Sequence, residues 1–203
     1  MVGLMRLGIF GGTFDPPHIG HLLLAGEAQE QFQLDLVLWV LTFKPPHKSG
    51  QIISSIQDRL DMVMAAINGN RNFELSRIDI DRPAPHYAID TVRLLGKENP
   101  GAELIYLMGG DSLENLLKWY QPAEFVRGCH ALGVMRRPGN RIDLTGLESQ
   151  IPGITHKIRF FDSPLVDISA SQIRDRIREG RPYRYFVHPG VFDIIQDRQL
   201  YCG

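Results

Sequence analysis

The chain has 203 residues, 43% hydrophobic and 22% charged, with a net charge of −1. At that length folding removes roughly 70% of the unfolded surface from water, so no disulfide or metal staple is needed, and Cys129 and Cys202 show no metal-ligand spacing. The near-zero charge excludes a nucleic-acid or anionic-membrane surface built on overall field. No run of 18 apolar residues is there to span a bilayer, and Gly11, Gly12, Asp15 and His18 arrive too early for a secretory leader, so a cytoplasmic protein is expected.

Short β-branched or apolar runs alternate with helical patterns along the chain, the signature of βαβ units and a parallel sheet. Met5 to Phe10 predicts the first strand and Ile19 to Phe32 the helix after it. Asp35 to Thr42 is almost wholly apolar, as a strand covered on both faces must be. After the KPPHKSG loop, Ser55 predicts a helix cap, with Ile56, Leu60, Val63 and Ile67 on one face and Gly69 at its end. Phe73 to Ile80 predicts a strand and Ala88 to Glu98 a helix. Glu103 to Met108 predicts a strand running into GGDS, Cys129 to Met135 one running into RRPG, and Lys157 to Phe161 the last. A helix begins near Ser169, and a loop and a short helix follow Tyr183. The expected architecture is α/β: one Rossmann-like domain over 1–203, a doubly wound parallel sheet with helices on both faces and a short helical part from about residue 169. Ligands in such sheets sit beyond the carboxyl ends of the strands. The loops at Gly11, Thr42, Gly109, Arg136 and Asp162 all follow predicted strands, and the polar oddities of the sequence fall there.

The first of these is GIFGGTFDPPHIGHL, Gly8 to Leu22. It is neither the G-x-G-x-x-G dinucleotide fingerprint nor a P-loop. Its parts still suit phosphate. Gly11 and Gly12 let backbone N–H groups approach an anion, Pro16 and Pro17 set a turn, and a helix then opens near Ile19 with its positive end toward the same space. His18 and His21 can each donate a ring N–H. Two alternatives stand beside this: zinc ligation, for which no third ligand is close, and ordinary packed or surface histidines. The second is ISASQIR, Ile168 to Arg174. Ser169 with Gln172 makes a capping box, Ser171 adds a donor, and Arg174 lies within two turns of the helix start, where it can fold back on an anion. The alternative is a capped helix whose basic solvent face continues through Arg176, Arg178 and Arg181.

Together, GGTFDPPHIGH and ISASQIR resemble the (H/T)-x-G-H and I-S-S-T-x-x-R elements of the nucleotidyltransferase superfamily. With KPPHK (Lys44 to Lys48), HYAIDT (His86 to Thr91), MGGDSL (Met108 to Leu113), KWY (Lys118 to Tyr120) and RRPG (Arg136 to Gly139), the likeness narrows to the bacterial nicotinate-mononucleotide adenylyltransferases and covers essentially the whole chain. The resemblance implies transfer of the adenylyl group of ATP to nicotinate mononucleotide, with Mg²⁺ assisting, deamido-NAD and pyrophosphate as products, and no covalent enzyme intermediate. It implies catalytic roles for His18, His21, Ser169 and Arg174. ATP would also meet Gly11, Gly12, Thr13, Phe14, Asp111, Arg137, Ile168 and Ser171. The mononucleotide would meet Lys44, Lys48, Tyr87, Ala88, Thr91, Trp119 and Tyr120. Plainer alternatives remain for several of these: a helix N-cap for Asp111, core packing for Trp119, solvated basic turns for Lys44, Lys48, Arg136 and Arg137. Two positions depart from the pattern. Ile168-Ser169-Ala170-Ser171 replaces I-S-S-T, and Ala88 stands where Thr is common: recognition of the nicotinate carboxylate through backbone N–H groups survives this change, whereas recognition through the hydroxyl would lose preference for the acid over the amide. Rival expectations are an enzyme for the amide mononucleotide, a phosphopantetheine or glycerol-phosphate nucleotidyltransferase, and a non-catalytic nucleotide-binding regulator. No nucleic-acid or membrane partner is expected; a homo-oligomer is left open.

Overall fold

The computed structural model describes residues 4–42, 54–136, 139 and 142–202. Its strands are β1 (Arg6–Gly12), β2 (Leu36–Leu41), β3 (Phe73–Ser76), β4 (Glu103–Gly109), β5 (Ala131–Met135) and β6 (Ile158–Phe161). All pair in parallel, in the order β3-β2-β1-β4-β5-β6. The helices between them are α1 (Ile19–Gln31), α2 (Ile56–Ile67), α3 (Ala88–Glu98), α4 (Gly110–Glu114), α5 (Pro122–Gly128), α6 (Leu144–Gln150) and α7 (Ile154–Lys157), and α8 (Ala170–Arg178) and α9 (Pro189–Asp197) follow β6.

The period of two along each strand sorts the core into two faces. Val37, Trp39 and Leu41 of β2 and Ile105 and Leu107 of β4 meet Leu24, Ala25 and Ala28 of α1 and Leu60, Val63 and Ile67 of α2. Leu38 and Val40, with Leu104, Tyr106 and Met108, point the other way onto Ile89, Val92 and Leu95 of α3 and Phe125 of α5. This is the doubly wound α/β fold expected from the alternation. The chain then adds a third cluster. Met62 and Ala66, on the far side of α2, pack with Ile173, Tyr183, Val191 and Ile195 of the C-terminal part.

The strand order reverses between β1 and β4. Pairing of those two ends with Ile9 opposite Tyr106, whereas β1 stays paired to β2 through Gly12 opposite Leu41. A crevice therefore opens at the carboxyl ends, where open α/β sheets take their ligands.

Several boundaries differ from expectation, β1 among them, which runs on to Gly12 and not only to Phe10; three of the differences have plain local reasons. β3 stops at Ser76, not Ile80, because the Arg77 carbonyl accepts from the N–H groups of Ile80 and Asp81 and turns the chain. β5 starts at Ala131, since Cys129 already ends α5. Lys157 belongs to α7, not to β6. Its ammonium donates to the carbonyls of Val126, Arg127 and Cys129 at 2.9, 3.1 and 2.7 Å, closing the C-terminal end of α5.

Candidate active site

The chain leaves β1 through Thr13 and Phe14 and reaches α1 by way of Asp15-Pro16-Pro17-His18. Helix α1 has no Ser, Thr, Asp or Asn at its N-cap; that position is His18. His21, three residues on, does the capping: its Nδ1 accepts from the backbone N–H of His18 at 3.1 Å. With Nδ1 accepting, the neutral His21 ring carries its proton on Nε2. The His18 ring lies on it, centroids 3.6 Å apart and planes within 26°. On another side Phe14 meets it edge-on at 5.1 Å. The imidazole most suited to donate to phosphate is thus fixed by packing as well as by its tautomer.

Gly11 and Gly12 are the last residues of β1, and their missing side chains serve the protein itself. A Cβ on Gly11 would stand 2.9 Å from the Tyr106 hydroxyl, and one on Gly12 would stand 2.7 Å from the Phe14 ring. The Phe14 ring turns into the core, which leaves its backbone as the part that faces the crevice. Phe14 is only 2% exposed, sits at φ 48° in the left-handed region, and packs on Phe10 and Trp39. Its contribution is to support His21.

The second motif folds back onto the first. Arg174 donates from Nη1 to the carbonyl of Asp15 at 2.7 Å, across 159 residues, and from Nη2 to the Ser171 hydroxyl at 3.2 Å. The capping box expected of Ser169 and Gln172 forms in both directions: Ser169 Oγ accepts from the Gln172 N–H at 3.2 Å and Gln172 Oε1 accepts from the Ser169 N–H at 2.8 Å. Ile168 packs into the C-terminal cluster. Just before α8, the segment around Val166 faces Gly20 of α1 across a cavity of about 330 Å³. The first turn of α1 and the segment that leads into α8 therefore border one space.

On the other side of the crevice a cavity of about 950 Å³ is lined by Tyr87, Ala88, Asp111, Trp119 and Tyr120, with Lys118 beside them. Five expected site residues from three separate segments meet here. Tyr87 and Tyr120 stack at 4.1 Å. Trp119 faces both ways: it is half-buried against Phe125 and Tyr106, at 5.1 and 6.0 Å, and it forms part of the cavity wall. Asp111 lies in the first turn of α4, whose N-cap is Gly109, so the N-cap alternative fails and its carboxylate stands exposed at the cavity. Thr91 requires a correction. It is 2% exposed and its hydroxyl donates to Asp79 at 2.6 Å, behind the cavity wall. Asp79 also holds Arg82, which donates to the carbonyls of Pro85 and Tyr87 at 2.8 and 3.2 Å. Thr91 thus shapes the loop that presents Tyr87 and does not itself reach the cavity. Lys44, Lys48 and Arg137 lie outside the described residues. Arg136 is held by Asp162 at 3.4 Å and by the face of Phe160.

A family model described as cytidylyltransferase-like matches residues 9–176. A protein of Thermomicrobium roseum named a probable nicotinate-nucleotide adenylyltransferase is 42% identical over 198 residues, covering 98% of this chain and 92% of its own length. A namesake in Bacillus pumilus is 37% identical, covering 98% and 99%. The chain belongs to the nicotinate-nucleotide adenylyltransferase family. The same fold is found in the Plasmodium falciparum nicotinic acid mononucleotide adenylyltransferase solved with NaAD, at a TM-score of 0.77 and 19% identity over 97% of both chains.

Within this family member, three residues of the site escaped the sequence. Arg59 is 1% exposed and donates to the carbonyls of Thr13, Thr42 and Ser54 at 3.1, 2.8 and 3.3 Å, bracing the ends of β1 and β2 against the start of α2. Burial lowers the pKa of its guanidinium, and the nearby Asp15 charge opposes that shift. The available signal was its place on the apolar stripe of α2, four residues before Val63. Asp15 (3% exposed) lies inside the GGTFDPPHIGH stretch, yet nothing there marks it as a support, and Tyr201 carries no pattern at all.

Proposed function

We propose that this chain transfers the adenylyl group of ATP to nicotinate mononucleotide, releasing pyrophosphate and forming deamido-NAD. The observation that carries it is the meeting of the two motif-bearing turns through Arg174 and Asp15. That meeting gathers donors of one sign at a crevice whose other wall is an aromatic cavity. Transfer of this kind asks the protein for alignment and for donors where negative charge grows. A phosphate oxygen of the mononucleotide attacks the α-phosphorus in line, and the bond to the β-phosphate breaks. The charge left on pyrophosphate is met by His21 Nε2–H, the Arg174 guanidinium, the Ser171 hydroxyl and the first N–H groups of α1 and α8. His18, stacked on the His21 ring, keeps it in place and brings a second imidazole donor to the same charge. No protein nucleophile is required.

The pyridine ring enters the 950 Å³ cavity against Trp119. No side chain caps α3 at Tyr87, so its first N–H groups, beginning at Ala88, suit a carboxylate at the cavity edge. The acid is accordingly preferred over the amide. Asp111 takes hydrogen bonds from ribose hydroxyls. Mg²⁺ belongs with the triphosphate as part of the substrate: it keeps most of its waters and takes phosphate oxygens as ligands, and no three His, Cys, Asp or Glu side chains gather into a metal cage among the described residues. Two free thiols, Cys129 and Cys202, accord with a reducing cytoplasm. No helix among the described residues is long and apolar enough to cross a membrane.

The test offers Mg-ATP with nicotinate mononucleotide, its amide or phosphopantetheine, and follows pyrophosphate. Release with the acid, weaker with the amide and absent with phosphopantetheine is expected; any other ranking overturns the assignment. In the same assay Trp119→Ala raises KM for nicotinate mononucleotide about three- to tenfold, the worth of one aromatic stack, and leaves KM for ATP within twofold. An unchanged mononucleotide KM would remove the stacking role.

A further inference from the structure

The turn that carries His18 and His21 hangs on one buried carboxylate. Asp15 is 3% exposed. An ionised group so deeply buried needs its oxygens satisfied by donors. One comes from the start of α2, where the Ser54 N–H donates to Oδ2 at 3.3 Å. The other comes from residue 201, past the end of α9: the Tyr201 hydroxyl donates to Oδ1 at 2.7 Å, across 186 residues. Tyr201 sits in the left-handed region at φ 66°, a conformation uncommon for an aromatic residue. It also touches the Met62 sulfur of α2 at 3.8 Å. Burial first, and then the Asp15 charge, raise the pKa of its phenol, so the hydroxyl keeps its proton and stays a donor.

We propose that Tyr201 is a positioning residue for adenylyl transfer: by holding the Asp15 carboxylate it sets the turn that aims His21 and the first N–H groups of α1 at the triphosphate. The proposal rests on the adenylyltransferase reading for its kinetic consequence and on geometry alone for its structural one. Arg174 grips the backbone carbonyl of the same residue, so Asp15 is where α8, α2 and the C-terminal turn all take hold of the His18–His21 segment. Without the phenol, Oδ1 loses the donor that Tyr201 supplies among the described residues, and the carboxylate must rotate or draw in water. A displacement of about 1 Å at such a support is enough to cost on the order of a hundredfold in rate.

Tyr201→Phe removes the hydroxyl and nothing else. Its kcat for pyrophosphate release is expected to fall at least about tenfold, with KM for nicotinate mononucleotide within twofold, because the aromatic cavity lies across the crevice. Tyr185→Phe, at a tyrosine 89% exposed in the same C-terminal part, should leave kcat unchanged. Asp15→Asn should lose kcat likewise, and the double variant should lose no more than the worse single, since both act through one contact. Imidazole NMR signals of His18 and His21, recorded without substrate, should shift in Tyr201→Phe and not in Tyr185→Phe. A kcat within twofold of wild type, additive losses, or unmoved imidazole signals would each overturn the proposal. If the wild-type protein released no pyrophosphate the reaction assignment would fall, and the imidazole spectra would still decide the role of Tyr201.

Discussion

His21→Ala should lower kcat for pyrophosphate release by about 10² to 10³, the usual consequence of deleting one donor aimed at charge that appears in the transition state. Folding survives, because the helix loses one cap, worth about 1 kcal/mol, and Ala is well tolerated in a helix. KM for nicotinate mononucleotide should hardly move, as the His21 ring packs between His18 and Phe14 and is not part of the aromatic cavity. His21→Asn separates the two jobs of the ring: it keeps an acceptor near the His18 N–H and displaces the Nε2 donor. It should fold as well as wild type and turn over as poorly as the alanine variant. Steady-state kinetics beside thermal unfolding decides this, and a kcat within fivefold of wild type would end the donor role.

The largest loss of stability should follow Arg59→Leu, about 3–5 kcal/mol, the cost of breaking a buried charge network by removing one partner. Leucine fills most of the volume, so the loss is chiefly polar. The carbonyls of Thr13, Thr42 and Ser54 lose their donor together, and the buried Asp15 loses its neighbouring positive charge. Urea unfolding at neutral pH measures it. A loss under 1 kcal/mol would mean that the strand ends are held by something other than this guanidinium.

Much of this was open to inspection before any coordinates. The apolar run 35–42 announced a doubly covered strand, and ISASQIR announced its own capping box. The crevice followed from strand alternation, since loops with unusual polar content could only gather at the carboxyl ends. Other features were hidden for definite reasons. His21 as a capping residue is invisible to a search for Ser, Thr, Asp or Asn. Phe14 looked like a ligand contact because nothing local announces that its backbone turns left-handed and drops the ring into the core. Thr91 lies one helical turn beyond Ala88, and only the buried Asp79 shows that its hydroxyl points inward. Helices α5, α6 and α7, of seven, seven and four residues, are too short to develop a periodic stripe. Tyr201 bonds to a partner 186 positions away, a separation that no windowed pattern spans.

The third core cluster has a bearing on how the molecule is made. Helix α2 is sandwiched, one flank on the sheet and the other under residues 173 to 195. The strap from Arg174 and the strut from Tyr201 reach the first loop only when that outer layer has docked. During synthesis the imidazole pair emerges from the ribosome early, yet its supports are translated late. The nascent polypeptide therefore carries an unfinished anion cradle until Arg174 and Tyr201 have been translated and have docked on Asp15.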